Sequence, residues 1–108
     1  MKFEEILEKV REKSKLIDAS KTDFLAVMVT LTGKNGGVFY VEIKDHKVNV
    51  EPYEYNDRNC EIVMTTENFL KFIDGKLNPV AAYTTGKLKV NGDLGKALEF
   101  SKLLNKED

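Results

Sequence analysis

GKLNPVAAYTTGKLKVNGD, residues 75–93, places Gly75, Pro79, Gly86 and Gly92 around one short alternating run, and its reading decides the fold. A phosphate-cradling Walker loop needs G-x-x-x-x-G-K-[ST] between a strand and a helix, so that backbone amides, a lysine and a hydroxyl converge on phosphate and magnesium. Gly86-Lys87 fails that pattern twice, because Ala81 stands where the first glycine belongs and Leu88 replaces the hydroxyl residue. The pair also opens a strand: in residues 87–91 Leu88 and Val90 point one way and Lys87 and Lys89 the other. The turn-formers therefore punctuate elements. Gly75 stops one helix, Asn78-Pro79 opens another as cap and first helical residue, Gly86 ends it, and Asp93 after Gly92 caps a last one.

Upstream, CEIVMT (residues 60–65) reads as a strand with Ile62 and Met64 inward, and at Thr65-Thr66 the period switches to that of a helix carrying Phe69, Leu70 and Ile73. Downstream, Leu94, Ala97, Leu98, Ser101 and Leu104 share one helical face, flanked by Phe100 and Leu103. The N-terminal half begins with an amphipathic helix over residues 3–17, whose early glutamates and late lysines complement its dipole. FLAVMVTLT (24–32), residues 38–44 and residues 47–51 then alternate as strands of an antiparallel meander. Asn35-Gly36 is the strongest hairpin signal, KDHK makes the next reversal, and PYEYNDRN (52–59) reads as a looser connection. The order is α-β-β-β-β-α-α-β-α, an α+β arrangement.

Length and composition bound the function. With 108 residues, the chain is expected to form a single domain spanning residues 1–108. A 42% apolar content supports a packed core, and a net charge of −1 with interspersed signs leaves no basic stripe for nucleic acid. Cys60 and His46 are each the sole residue of their type, which excludes an internal disulfide and a thiolate or paired-histidine metal site. No nucleophile–base pair stands out, so neither enzyme activity nor a cofactor is expected. Lysine dominates arginine and glutamine is absent, a bias shared with heat-adapted proteins. The carboxylates in MKFEEILEKV argue against a signal peptide, and NKED at the end lacks a Ser-Lys-Leu address, so a cytoplasmic setting is expected.

Residues 60–104 closely resemble the second half of the sterol carrier protein type 2 family. The resemblance rests on Gly75-Lys76-Leu77 with Pro79 two residues on, then Gly86-Lys87-Leu88-Lys89-Val90, then Gly92-Asp93 and a closing apolar helix. Over the N-terminal half it holds by pattern more than by residue. It implies a five-stranded, mostly antiparallel mixed sheet covered on one face by helices, with a helical crossover to the last strand and an apolar tunnel between the layers.

A lipid carrier needs concave apolar surface, since each methylene removed from water contributes about 0.8 kcal/mol. The expected lining is Ile62 and Met64, then Phe69, Phe72 and Ile73, then Val80 and Tyr83, then Leu88 and Val90, and finally Leu98 and Leu104. Any one of these also serves as ordinary core. The Tyr83 hydroxyl is expected to reach a backbone carbonyl, Lys76, Lys87 and Lys89 to solvate an outer face, and Cys60 to be a small buried hydrophobe. The expected function is non-enzymatic binding or transfer of a fatty acyl or similar lipid. The alternative is a dimerisation or substrate-presenting module for a separate enzyme. Transient contact with a membrane surface and a homodimer stay open as further associations. An empty void of roughly 300 Å³ costs on the order of 7 kcal/mol, so without lipid the tunnel is expected to be partly collapsed or closed by the last helix.

Overall fold

The computed structural model describes residues 1–104; the C-terminal NKED, and the inference drawn from it, lie outside the described residues. The elements are α1 (Phe3–Ser14), a 3-10 turn (Ala19–Lys21), β1 (Phe24–Thr32), β2 (Gly37–Lys44), β3 (Lys47–Glu51), β4 (Cys60–Thr65), α2 (Thr66–Ile73), α3 (Pro79–Thr84), β5 (Lys89–Gly92) and α4 (Leu94–Leu104). The strands form one sheet in the order β3-β2-β1-β4-β5. β1–β2, β2–β3 and β4–β5 are antiparallel, whereas β1 and β4 run parallel, with Val27 opposite Cys60 and Thr32 opposite Thr65. This is the α+β mixed sheet expected from the sequence.

A parallel neighbour cannot be reached by a tight turn. The chain leaves β3 at one edge and must come back to the far side of β1, and residues 52–59 make that passage. Their side chains fasten it. Tyr55 packs edge-on against Tyr40 with ring centroids 5.0 Å apart and donates its hydroxyl proton to Glu42. That bond, ahead of burial, pushes the Tyr55 phenol up to about 12. Arg58 donates to the Tyr55 carbonyl at 3.0 Å. Asn59 then acts as an additional rung: its N–H donates to the Ala26 carbonyl at 2.8 Å and its Oδ1 accepts the Ala26 N–H at 2.7 Å. Its own carbonyl accepts the Asp93 N–H at 3.0 Å, tying the same residue to the start of α4.

All four helices lie on the other face. Leu25, Val27, Val29 and Leu31 of β1, Phe39, Val41 and Ile43 of β2, and Ile62 and Met64 of β4 are buried there against Ile6, Leu7 and Val10 of α1, Phe69, Phe72 and Ile73 of α2, and Phe100 of α4. Phe3, Phe39, Phe69 and Phe72 form a continuous aromatic row, with centroids 6.3, 5.7 and 6.1 Å apart. Ring pairs at this spacing add to what their burial contributes.

Local details depart from the sequence reading. α1 stops at Ser14, not at residue 17, because the Asp18 carboxylate accepts the Ser20 N–H and nucleates the 3-10 turn; Ile17 packs on the core from outside the helix. Asn35-Gly36 is not a two-residue turn: positive φ falls on Gly33 and Asn35, within a longer loop. The tight reversal is Asp45-His46, both at positive φ, between the paired Lys44 and Lys47. In α4 the buried stripe is Ala97, Phe100, Ser101 and Leu104, so Phe100 sits at its centre and Leu94 is exposed.

Asn59→Ala strands the Ala26 amide in a buried strand, and an unsatisfied buried donor costs about 1–3 kcal/mol. Urea denaturation should show a loss of that order, with almost none for Asn49→Ala on the exposed side of β3. Equal losses in the two variants would remove the role assigned to Asn59.

Candidate apolar ligand site

Three consecutive elements, α3, β5 and α4, build the site. Asn78 Oδ1 accepts the N–H groups of Val80 and Ala81 at 2.9 and 3.0 Å, and Pro79 follows as the first helical residue, as the sequence predicts. At the other end Gly86, at φ 81°, lets the chain turn back so that the N–H groups of Lys87 and Leu88 both reach the Ala82 carbonyl, at 2.8 and 3.1 Å. That hook drives Leu88 inward, where it is buried. Val90 lies opposite Ile62 of β4. Asp93 Oδ1 then accepts the Lys96 N–H at 3.1 Å and starts α4. The reversal needs Gly92: a Cβ there would lie 2.7 Å from the Asn59 carbonyl oxygen.

These elements enclose a cavity of about 90 Å³, lined by Pro79, Val80 and Tyr83 of α3, Leu88 and Val90 around β5, and Leu94, Ala97 and Leu98 of α4. No ionisable group other than the Tyr83 phenol is in the lining. Val80, Tyr83 and Leu94 form an exposed rim, at 60%, 47% and 39% of their full accessibility. Exposed apolar side chains converging on one mouth differ from apolar residues scattered singly.

Of the residues singled out in the sequence, Val80, Tyr83, Leu88, Val90 and Leu98 therefore meet at one cavity. Ile62, Met64, Phe69, Phe72, Ile73 and Leu104 are instead sealed in the core, none more than 6% exposed. Pro79, Leu94 and Ala97 also line the cavity and were not among the expected residues. The Leu94-Ala97-Leu98 spacing carried the signal, but a helical stripe does not say whether it meets core or void. The Tyr83 hydroxyl has no protein hydrogen bond among the described residues, so the expected carbonyl partner is not found.

A larger and more polar groove of about 670 Å³ runs between α1, the 3-10 turn and β3, past Arg11, Lys15, Asp18, His46 and Glu51. It is a poor acyl site despite its size. The Arg11 guanidinium there is already committed to Glu8 at 2.8 Å, to Glu51 at 3.1 Å and to the Val50 carbonyl. Its hydrogen bond with Glu8 leads the influences that raise its pKa. Among the described residues no cluster of three His, Cys, Asp or Glu side chains is arranged for a metal, and no helix is long and apolar enough to cross a membrane. Cys60 is 1% exposed, and burial, reinforced by the Asp93 charge, pushes its thiol up to about 11.

A helix-covered mixed sheet with an apolar cavity under its last helices is the architecture of a lipid-binding domain. The chain belongs to the SCP-2 sterol transfer family, whose pattern it matches over residues 3–105. It is 34% identical over 89 residues to human hydroxysteroid dehydrogenase-like protein 2, covering 82% of this chain and 21% of that protein. With human sterol carrier protein 2 it shares 30% identity over 103 residues, covering 94% of this chain and 19% of the relative. The chain thus spans about a fifth of the length of these relatives. Its fold also superimposes on the solution structure of palmitated SCP2L2 from Aedes aegypti with a TM-score of 0.75 at 17% identity, covering 99% of this chain and 97% of that one.

The raised Cys60 pKa implies an unreactive thiol, since thiolate is the nucleophile. Labelling by a chromogenic disulfide at pH 8 should run on the order of a hundredfold slower in the native protein than in denaturant. Native labelling at the unfolded rate would contradict the burial of Cys60.

Proposed function

We propose that this domain binds one lipid acyl chain in the α3–β5–α4 cavity and carries it without covalent chemistry. The observation that carries this reading is the cavity itself: eight side chains from three elements, every one apolar or aromatic, with an exposed apolar mouth. Membership of a sterol transfer family and likeness to a palmitated protein support the same class of ligand. No group in the lining offers acid–base or nucleophilic catalysis at neutral pH.

The cavity of about 90 Å³ is well below the roughly 300 Å³ at which small-molecule pockets begin. At about 24 cal/mol per Å³, leaving it empty costs about 2 kcal/mol, against on the order of 7 kcal/mol for a fully open tunnel. The contracted form is therefore a tolerable resting state. Entry of a chain displaces α3 and α4 from one another and replaces the void with methylene contacts. A chain of roughly 14 carbons contributes on the order of 10 kcal/mol gross, part of which offsets association and ordering costs.

A second reading follows from the share of the relatives that this chain spans, 21% of human hydroxysteroid dehydrogenase-like protein 2. The same cavity would then present a bound lipid to an enzyme active site elsewhere, which alters the recipient of the ligand and not the binding chemistry.

Displacement of a fluorescent fatty acid tests the proposal. Leu98→Asp should weaken binding by at least about tenfold by placing a charge in the apolar lining, and Ala97→Phe should block uptake by filling the void while helix content stays unchanged. Saturating fatty acid at about 100 times its Kd should stabilise the wild type by about 2.7 kcal/mol. A thermal midpoint unmoved by fatty acid or acyl-CoA, with no lipid retained in a native mass spectrum, would overturn it. A concentration-dependent mass without ligand uptake would favour an interaction module instead.

A further inference from the structure

β3 is an edge strand, and its outer side is open. Lys44 and Lys47 pair across the two-residue reversal at Asp45-His46, and residues that flank such a turn exchange their backbone bonds. The alternation of an antiparallel ladder then directs the backbone groups of Lys47, Asn49 and Glu51 to β2, and those of Val48 and Val50 outward. The Val50 carbonyl agrees with this, since it accepts Nε and Nη2 of Arg11 at 3.2 and 3.1 Å and not a strand amide. The Val50 side chain is buried and that of Val48 packs on the core, whereas Lys47 and Asn49 are exposed. The groove of about 670 Å³ described above runs along this edge, with Ser14 in its wall. Ser14 is 6% exposed and its hydroxyl has no partner among the described residues, so that wall is unfinished.

An open edge is a template for another strand, and the sequence of β3 is complementary to itself when reversed. We infer that β3 is the surface by which two copies of this chain associate, antiparallel about a two-fold axis at Asn49. Val48 of one copy and the partner's Val50 then exchange both backbone bonds, and the symmetry repeats the exchange. Lys47 stands opposite the partner's Glu51, also twice, and opposite charges facing each other across strands stabilise the pair. Lys47 has no carboxylate within ion-pair distance among the described residues, so its charge is uncommitted in one copy. Pro52 and the Asp45-His46 reversal limit the pairing to these five residues. Arg11 competes for the same edge. It holds the Val50 carbonyl and the Glu51 carboxylate, the latter at 3.1 Å, and must shift before a second strand can pair, which weakens association and makes it depend on concentration.

The other edge of the sheet is less suited. β5 repeats Lys-Val-Asn at residues 89–91, but the chain turns away at Gly92, at φ 101°. Asp93, which stands where β3 has Glu51, has its carboxylate on the Lys96 N–H as the cap of α4. The apolar cavity lies along β5, at the opposite side of the sheet from β3, so association leaves its mouth free. The inference therefore stands apart from the proposed cargo.

Sedimentation equilibrium over a range of concentrations tests this, with fatty acid binding measured in parallel. The wild-type mass should rise from monomer toward dimer. Arg11→Ala should tighten the dimer by about tenfold, because it frees the Val50 carbonyl. Lys47→Glu sets like charges opposite one another twice and should weaken it by about tenfold, and the exchange Lys47→Glu/Glu51→Lys should restore it to at least the wild-type level. Lys47→Glu should bind fatty acid as the wild type does, so that failure of the interface and failure of the cargo are read separately. Asn49 faces its own copy in a non-hydrogen-bonded pair, with Cα atoms about 4.5 Å apart, within disulfide range. Mild oxidation should therefore cross-link Asn49→Cys but not Lys89→Cys on the other edge; Cys60, 1% exposed, does not compete. A wild type and an Arg11→Ala variant that both stay monomeric would refute the inference. A dimer indifferent to Lys47→Glu, or cross-linking of Lys89→Cys as ready as that of Asn49→Cys, would refute it equally.

Discussion

Asn59 holds the two halves of the molecule in register. Its N–H and Oδ1 pair with both backbone groups of Ala26 in β1, and its carbonyl takes the Asp93 N–H before α4. The first pair starts β4 parallel to β1, which is the one parallel relation in the sheet. The second bond positions β5 and α4, and therefore the cavity, against that strand. Gly92 is needed because the backbone passes so close to Asn59 that a side chain would collide. A loop residue thus sets the geometry on which the apolar site depends.

The two faces of the sheet are finished differently, and the difference directs function to one end. On the helix side the aromatic row from Phe3 to Phe72 and the aliphatic residues of β1, β2 and β4 pack without leaving any expected lining residue exposed from α2 or β4. On the far side Ala26 and Met28 are buried, Asn59 pairs with the Ala26 backbone, and Glu61 accepts hydrogen bonds from Thr30 and Asn91. The Thr30 bond leads the effects that hold Glu61 below the usual carboxylate range. Between α3, β5 and α4, by contrast, small and branched residues, Ala97 and Val80 among them, leave an apolar space unfilled.

Much of this was legible in residues 75–93 because caps are local. Thr65, Asn78 and Asp93 each accept the amides that a capping residue accepts, and all three helices begin where the sequence places them. The parallel β1–β4 pairing was not readable from periodicity, since strand alternation is the same in either direction; the family resemblance supplied the mixed sheet. In α4 Ala97, Ser101 and Leu104 are buried as expected, but Phe100 lies within the stripe and not beside it and Leu94 is exposed, because Leu94-Leu98 and Phe100-Leu104 are both apolar series and only tertiary contact decides between them. The site was half legible for a related reason. An inward apolar residue looks the same in sequence whether it meets a neighbour, as Phe72 does, or a void, as Leu98 does.

The central claim is that apolar ligand enters between α3, β5 and α4. Methyl-resolved NMR during titration with a fatty acid tests it most directly, because Val80, Leu88, Val90, Leu94, Ala97 and Leu98 all carry methyl probes in the lining. The account predicts that the largest shifts fall on those six residues and fade toward Ile6 and Val10 in the α1 core. Shifts centred on Val48 and Val50 beside the α1–β3 groove, or no shifts at saturating fatty acid, would contradict it.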